Sequence, residues 1–267
     1  MNKYRKILLS FDIEEFDMPF EYQREVSFEE QIAISKAGTI KILDILKKHN
    51  VKATFFSTVI FAQQVTDVIK RIIEEGHELA SHGYHHSKFD AGDYAKSKEA
   101  LELISKTEVV GFRMARMQPV DDQLIEEAGY LYNSSVNPTY LPGRYNNLHV
   151  SRTLFKTNQV WQLPASVTPY MRFPLFWLSF HNLPTFLYQM LCQWTLKKDN
   201  YLNIYFHPWE FMPINDKRFN FPSYVNRNVG DKMCERLDNL IFSLRENNFL
   251  TIKEFINNQD HSKNFSN

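Results

Sequence analysis

The stretch Lys6-Ile-Leu-Leu-Ser-Phe-Asp-Ile-Glu14 decides the fold. From Lys6 to Phe11 it is a nearly unbroken apolar run of strand length, the pattern of a strand buried on both faces in a parallel sheet. Two carboxylates, Asp12 and Glu14, follow at its carboxyl end. Spaced two apart in extended chain, they point to the same side, and the alternation turns Glu15 away.

Outward from this strand the pattern repeats as strand then helix. Ser27-Phe-Glu-Glu30 has capping-box spacing and predicts a helix with Ala33, Ala37, Ile40 and Leu43 on one face, ending near His49-Asn50. Strands are expected at Ala53–Phe56, Glu78–Ala80, Val109–Phe112, Tyr130–Tyr132, Val160–Leu163, Leu202–Phe206 and Phe249–Ile252. Between them, helices are expected at 60–75 (stopped by Gly76), Lys96–Ile104, Asp121–Ala128 (stopped by Gly129) and Val229–Asn247. Residues 138–160 lack periodicity and read as a long loop, and the polar end from Asn257 is expected to fray. Alternating strands and helices over 267 residues predict an α/β fold, a distorted barrel of about seven parallel strands in one domain, residues 1–260, with a disordered tail at 261–267.

Composition excludes several classes. Equal numbers of acidic and basic residues, 31 each, argue against a nucleic-acid partner. The two cysteines, Cys192 and Cys234, form no CxxC pair, so neither a disulfide framework nor a thiolate metal site is expected. No apolar run approaches the length of a membrane span. The apolar run after Met1 is interrupted by Asp12 before a signal-peptide core is reached, so a cytoplasmic protein is expected.

Ionisable groups gather at the expected strand ends. His82 and His86, in Ser81-His-Gly-Tyr-His-His86, follow the third strand, and their spacing of four puts both imidazoles on one side of a helical turn. Such a pair is a common half of a zinc site, but alone it is more often the mark of a solvated histidine cluster. Position decides: Asp12 and Glu14, His82 and His86, Arg113 and His207 each end a different strand, and the carboxyl ends of barrel strands form one face. With a divalent metal on imidazole and carboxylate ligands, one of Asp12 and Glu14 can bind it while the other takes a proton from water. His207 could protonate a leaving group, with Trp209 as an apolar wall beside it, and Arg113 could orient Asp12.

Together these segments resemble, over roughly residues 5–210, the polysaccharide deacetylases that share the NodB homology domain, also called carbohydrate esterase family 4. The carriers are Ser10-Phe-Asp-Ile-Glu14, Lys52-Ala-Thr-Phe-Phe56, Gly76–His86, Gly111-Phe-Arg-Met-Ala-Arg116, Tyr132-Asn-Ser-Ser135, Leu163-Pro-Ala-Ser166 and Phe206-His-Pro-Trp-Glu210. The resemblance implies Asp12 as base, Glu14, His82 and His86 as ligands of one divalent metal, zinc first, Arg113 as tether of the base and His207 as acid. It also implies a groove lined by Tyr132, Asn133, Ser134 and Trp209, with a backbone N–H of 132–134 facing the oxyanion. Three positions depart from the family pattern: Ile13 for the commonest metal-binding Asp, Ala115 for Pro and Asn133 for Asp. The implied reaction is hydrolytic removal of N-acetyl groups from a sugar, polysaccharide or saccharide precursor, lipid-linked or nucleotide-linked if made inside the cell. The alternatives are hydrolysis of a cyclic amide or imide on the same barrel, and a non-catalytic saccharide-binding protein.

The segment Phe173–Trp194 admits two readings. Leu187, Met190, Leu191 and Trp194 recur at helical spacing, as in a helix packed on the core. Alternatively the segment is an interfacial surface for peripheral membrane contact, with Phe176, Trp177 and Phe180 as its exposed aromatics.

Overall fold

A computed structural model describes residues 4–264. The chain passes through β1 (Lys6–Ile13), α1 (Met18–Glu21), α2 (Phe28–His49), β2 (Thr54–Ser57), α3 (Val59–Gln64), α4 (Thr66–Glu74), β3 (Glu78–Ser81), α5 (Asp93–Ser105), β4 (Gly111–Phe112), α6 (Asp122–Glu127) and β5 (Tyr132–Asn133). It continues through β6 (Tyr140–Leu141), β7 (Tyr145–Asn146), β8 (Phe155–Thr157), β9 (Val160–Gln162), α7 (Trp177–Asn182), α8 (Thr185–Asp199), β10 (Tyr201–Phe206), α9 (Ser223–Asn226), α10 (Asp231–Leu244), β11 (Asn248–Phe249) and α11 (Ile252–Asn264).

The main sheet has the order β10-β1-β2-β3-β4-β5-β9-β8, with β11 added to the start of β1. From β10 to β9 every pairing is parallel, seven strands in all, and only β8 runs antiparallel. The expected parallel barrel of about seven strands is therefore present, curled as a half-barrel whose edges are not joined by a strand ladder. A loop bridges the gap. Ser166 N–H donates to Asn203 O at 2.8 Å, and Asn203 N–H donates to Ser166 Oγ at 2.8 Å.

Strand alternation sorts the side chains. Ile7, Leu9, Phe11 and Ile13 lie beneath the helices in the main core. Leu8 faces the barrel interior with Phe56, Ala80, Val110 and Tyr132, and Asp12 follows it on the same side. On β10, Tyr201, Asn203 and Tyr205 face inward, while Leu202, Ile204 and Phe206 pack outward. Ile252, Phe255 and Ile256 of α11 join the interior cluster. The buried Glu78 fastens that helix: Oε2 accepts Lys253 N–H at 2.9 Å and Thr54 Oγ1 at 2.7 Å.

Several elements differ from their sequence reading. The helix expected over 60–75 is two, broken at Val65, whose φ of −131° lies outside the helical range while its side chain is buried. Residues 138–160 contain the β6–β7 hairpin and β8, strands too short for periodicity to register. Ser27 Oγ accepts Glu30 N–H as expected, but the buried face of α2 is Ser35, Gly38, Thr39, Ile42, Leu43 and Leu46. Close approach selects that face: a Cβ on Gly38 would sit 2.0 Å from Pro208 O. On α8 the buried side chains are Tyr188, Cys192, Thr195 and Leu196, so Met190 and Trp194 point outward. Phe176 and Phe180 are buried rather than exposed. The end expected to fray from Asn257 is helical to Asn264, and the remainder of the expected tail, 265–267, lies outside the described residues, as do residues 1–3. Among the described residues no helix is long and apolar enough to cross a membrane.

Candidate metal centre and active site

Glu14, His82 and His86 converge at the carboxyl end of the sheet. Glu14 Oε2 lies 2.9 Å from His82 Nε2 and 3.0 Å from His86 Nε2. The two histidines come not from a helical turn but from a loop after β3, where Gly83 takes φ +87° and folds the chain back. Each imidazole is held through its other nitrogen. His82 Nδ1 sits 2.9 Å from Arg113 O, and His86 Nδ1 sits 2.8 Å from Asp17 Oδ1. Acceptors at both Nδ1 atoms place the ring proton there and leave the Nε2 lone pairs facing Glu14.

This donor set fits a divalent cation. Glu14 Oε2 is buried with no hydrogen-bond partner, and the three ligand atoms lie within 4.8 Å of one another. Two imidazoles and a carboxylate are zinc-type ligands. Burial opposes protonation of His86, yet the Glu14 and Asp17 carboxylates outweigh it and push its pKa up to about 9. A site that negative attracts a cation where it would otherwise hold a proton.

Asp12 lies beside this group, buried, and Arg113 Nη1 donates to its Oδ1 at 2.5 Å. Arg113 is itself fully enclosed: Nε donates to Ser134 O at 3.0 Å, Nη2 to Ser134 Oγ at 3.1 Å, and the guanidinium lies 4.0 Å from the Phe56 ring centroid. Burial raises the Asp12 pKa, but the charges of Arg113, His82 and His207 more than reverse this and hold it below the ordinary carboxylate value. Asp12 is thus ionised at neutral pH.

His207 Nε2 lies 4.0 Å from Asp12 Oδ2. Its Nδ1 is 2.9 Å from Glu210 Oε1, and its backbone N–H donates to the same oxygen at 2.6 Å. Glu210 is fully buried, and its Oε2 lies 2.9 Å from His181 Nε2. His181 Nδ1 in turn lies 2.7 Å from Arg227 O. Burial lowers the His207 pKa, but the Glu210 hydrogen bond and the Glu14, Glu210 and Asp12 charges raise it above the usual histidine value. The ring stacks on Trp209 at 5.1 Å and meets the edges of Trp177 and Tyr205.

A cavity of about 280 Å³ opens over these groups, walled by Met18, Met117, Leu141, Phe176, Trp177 and Trp209 among others. At its rim Arg116, in the left-handed region at φ 57°, donates to Asp17 at 2.9 Å and to Glu21.

Three residues expected in the groove lie beneath it. Tyr132 is buried in the barrel because its hydroxyl serves the buried Glu78, donating to Oε1 at 2.7 Å. Asn133 donates to Gln162 Oε1 at 2.8 Å, and Ser134 donates to Leu163 O at 2.8 Å. The Tyr132 and Ser134 N–H groups are spent on Val110 O and Phe112 O, at 3.3 and 2.9 Å, so neither faces an oxyanion. The sequence reading passed over Asp17, His181 and Glu210 as functional groups. The signals for Asp17 and Glu210 were faint, a fourth carboxylate in the segment Asp12–Asp17 and an acidic residue three positions past His207, where one turn brings it back, and His181 gave none.

The curled parallel sheet carries a carboxylate, two imidazoles and an arginine-held aspartate at its carboxyl ends, a barrel with a candidate metal site. Residues 4–120, which contain Asp12, Glu14, His82, His86 and Arg113, match the family model described as polysaccharide deacetylase. It is 41% identical over 81 residues to a peptidoglycan-N-acetylglucosamine deacetylase of Bacillus cereus, covering 30% of this chain and 28% of that one. It is 48% identical over 68 residues to the peptidoglycan-N-acetylmuramic acid deacetylase PdaA of Bacillus subtilis, covering 26% of each. The alignments thus span about a quarter of the length of these curated relatives. Among solved structures, a Mycobacterium smegmatis protein classed with the polysaccharide deacetylases superposes with a TM-score of 0.65 at 17% identity, covering 98% of this chain and 93% of the other. The allantoinase PuuE superposes with a TM-score of 0.63 at 16% identity, covering 96% and 90%. A Bacillus anthracis pseudoenzyme of carbohydrate esterase family 4 superposes with a TM-score of 0.53 at 14% identity, covering 96% and 66%. At these identities the superpositions establish the fold alone.

Proposed function

We propose that the protein is a metal-dependent hydrolase that removes N-acetyl groups from a saccharide, with Asp12 as general base and His207 as general acid. The observation that carries this reading is the placement of an ionised carboxylate and a histidine 4.0 Å apart beside the Glu14, His82 and His86 cluster. A zinc-type cation held by those three residues would supply Lewis acidity and make water acidic enough to be deprotonated near neutral pH. Arg113 engages Asp12 Oδ1 and leaves Oδ2 to take the proton from water. The hydroxide adds to the acetamide carbonyl, and when the C–N bond breaks the amine takes a proton from His207 Nε2. Acetate and a free amine result. Glu210 fixes the ring by engaging Nδ1, so that Nε2 is the atom that delivers the proton. The aromatic and apolar walls suit the flat faces of a sugar ring, and Met18, Met117 and Leu141 suit the apolar attachment of a lipid-linked precursor.

Metal analysis with an acetate-release assay on N-acetylated glycans, peptidoglycan fragments and sugar precursors tests the proposal. Wild type should hold about one metal and release acetate, and combined His82→Ala and His86→Ala should lose the metal. Asp12→Asn should keep the metal and turn over about 10²–10⁴-fold more slowly, the usual share of a general base. Ring opening of cyclic amides without acetate release would favour the allantoinase-like alternative, and metal binding with no hydrolysis of either class would favour a binding protein.

A further inference from the structure

The outer face of α8 carries a row of large apolar side chains open to solvent. Phe186, Met190 and Trp194 are spaced four apart and form one stripe, about 12 Å long at 1.5 Å per residue. They are 72%, 57% and 38% exposed. The loop before α7 extends the stripe: Tyr170 and Met171 are 79% and 75% exposed, and the Tyr170 ring lies 6.5 Å from that of Trp194. This exposure is built in. Tyr170 and Arg172 both take left-handed backbone angles, at φ 64° and 52°, which side chains other than glycine seldom adopt. Arg172 anchors the loop from below, donating to Val150 O at 2.7 Å and Pro138 O at 3.1 Å, while its own carbonyl accepts Thr139 Oγ1 at 2.6 Å. The fold holds the loop down by its arginine and turns Tyr170 and Met171 to solvent.

The charged residues of α8 are Lys197, Lys198 and Asp199, all at its end. Lys197 and Lys198 end α8, both exposed, and neither has a carboxylate partner among the described residues. Lys198 Nζ reaches 5.7 Å from the Tyr170 ring centroid. The acid that follows them, Asp199, is occupied by both Nη atoms of Arg152. Aromatic rings and methionine, flanked by exposed lysines, are the side chains that settle at a lipid headgroup boundary, where the rings bury their bodies and the ammonium groups meet phosphates. A second protein with an apolar face would leave those lysines uncompensated.

We propose that this face, Tyr170–Met171 with Phe186, Met190, Trp194 and the Lys197–Lys198 pair, is a docking surface for an anionic phospholipid bilayer. It stands on different residues from the catalytic proposal and does not depend on it.

The test is co-sedimentation of the full chain with vesicles of phosphatidylcholine alone or mixed equally with phosphatidylglycerol. Binding is expected to the mixed vesicles and to weaken sharply as salt rises, since the Debye length falls from about 10 Å at 0.1 M to about 3 Å at 1 M. Lys197→Glu with Lys198→Glu should reduce affinity by at least about fivefold per lysine. Combined Phe186→Ser, Met190→Ser and Trp194→Ser should abolish binding, whereas Leu103→Ser, on a distant exposed apolar residue, should not. Circular dichroism and melting of each variant separate loss of the surface from loss of the fold. Absence of binding to anionic vesicles at low salt overturns the proposal, as does binding that survives both sets of substitutions in folded protein. A dimer in sedimentation equilibrium that the triple serine variant dissociates, without vesicle binding, would assign the face to a second copy instead and equally overturn it.

Discussion

A buried carboxylate oxygen without a donor, such as Glu14 Oε2, is costly unless a cation or a proton meets it. Much of the site exists to present that atom and the two Nε2 atoms together. Asp17 is the clearest case: its Oδ1 accepts a hydrogen bond from His86 Nδ1 at 2.8 Å, and its Oδ2 accepts one from Arg116 Nη2. Removing such a supporting carboxylate typically costs about 10–100-fold in metal affinity. Asp17→Ala should weaken metal binding by that order, measured by competition with a chromogenic chelator, and Asp17→Asn, which can still accept the proton, should weaken it less. Equal affinities in all three proteins would remove Asp17 from the site. At this scale the sequence was legible where chemistry and strand period agree. Asp12 and Glu14 lie two apart and share a direction, while Glu15 turns off to accept Thr58 Oγ1. It was illegible at Tyr132, Asn133 and Ser134, because a motif locates residues along the chain and not the level of the barrel at which a side chain ends. The partner that draws Tyr132 inward, Glu78, is 54 residues away.

Strands β2 and β3 are joined at their starts by a neutral histidine. His77 Nδ1 accepts Ala53 N–H at 3.2 Å, which requires an unprotonated Nδ1. Burial, and after it the Lys52 charge, lowers its pKa from the ordinary 6.5 to about 4. Between those values the unfolded chain binds the proton and the folded chain does not. The contribution to stability is therefore complete above pH 6.5 and is lost as the pH falls toward 4. His77→Gln, whose amide oxygen can replace the acceptor, should melt lower at neutral pH but lose less on acidification. Calorimetry of both proteins at intervals from pH 7 to about 4.5 gives the difference; parallel curves would show that the acid sensitivity arises elsewhere. Strand positions were legible because their apolar runs are continuous. The buried faces of α2 and α8 were not, because hydrophobicity does not set them. On α2 the glycine at 38 admits Pro208, and on α8 the glutamines 189 and 193 reach toward carbonyls of α10 at 3.3 Å and fix the rotation.

The whole barrel is closed by one loop. Besides its backbone contacts to Ser166, Asn203 donates from Nδ2 to Pro164 O at 3.0 Å, so a single side chain joins the last inward strand to the far edge of the sheet. Asn203→Ala leaves a buried carbonyl without its donor, at a cost of about 1–3 kcal/mol. For a chain of this size the melting temperature should fall by about 2–4 °C for each kcal/mol. Differential scanning calorimetry checks this, and an unchanged transition would mean that the seam carries no load. The seven-strand parallel architecture was legible from the alternation of strands and helices. The open seam was not, since isolated loop hydrogen bonds leave no periodic trace.

The stretch that matches the polysaccharide deacetylase model ends at residue 120, after Asp12, Glu14, His82, His86 and Arg113, and before the β6–β7 hairpin, the Phe176–Leu178 wall, His207 and Trp209. On the proposed reading the matched portion holds the groups that activate water, while the later portion supplies His207 and most of the cavity wall. Mutation can reshape the hairpin and the aromatic wall without disturbing the earlier portion, so on that reading a change of preferred sugar leaves the activation of water intact.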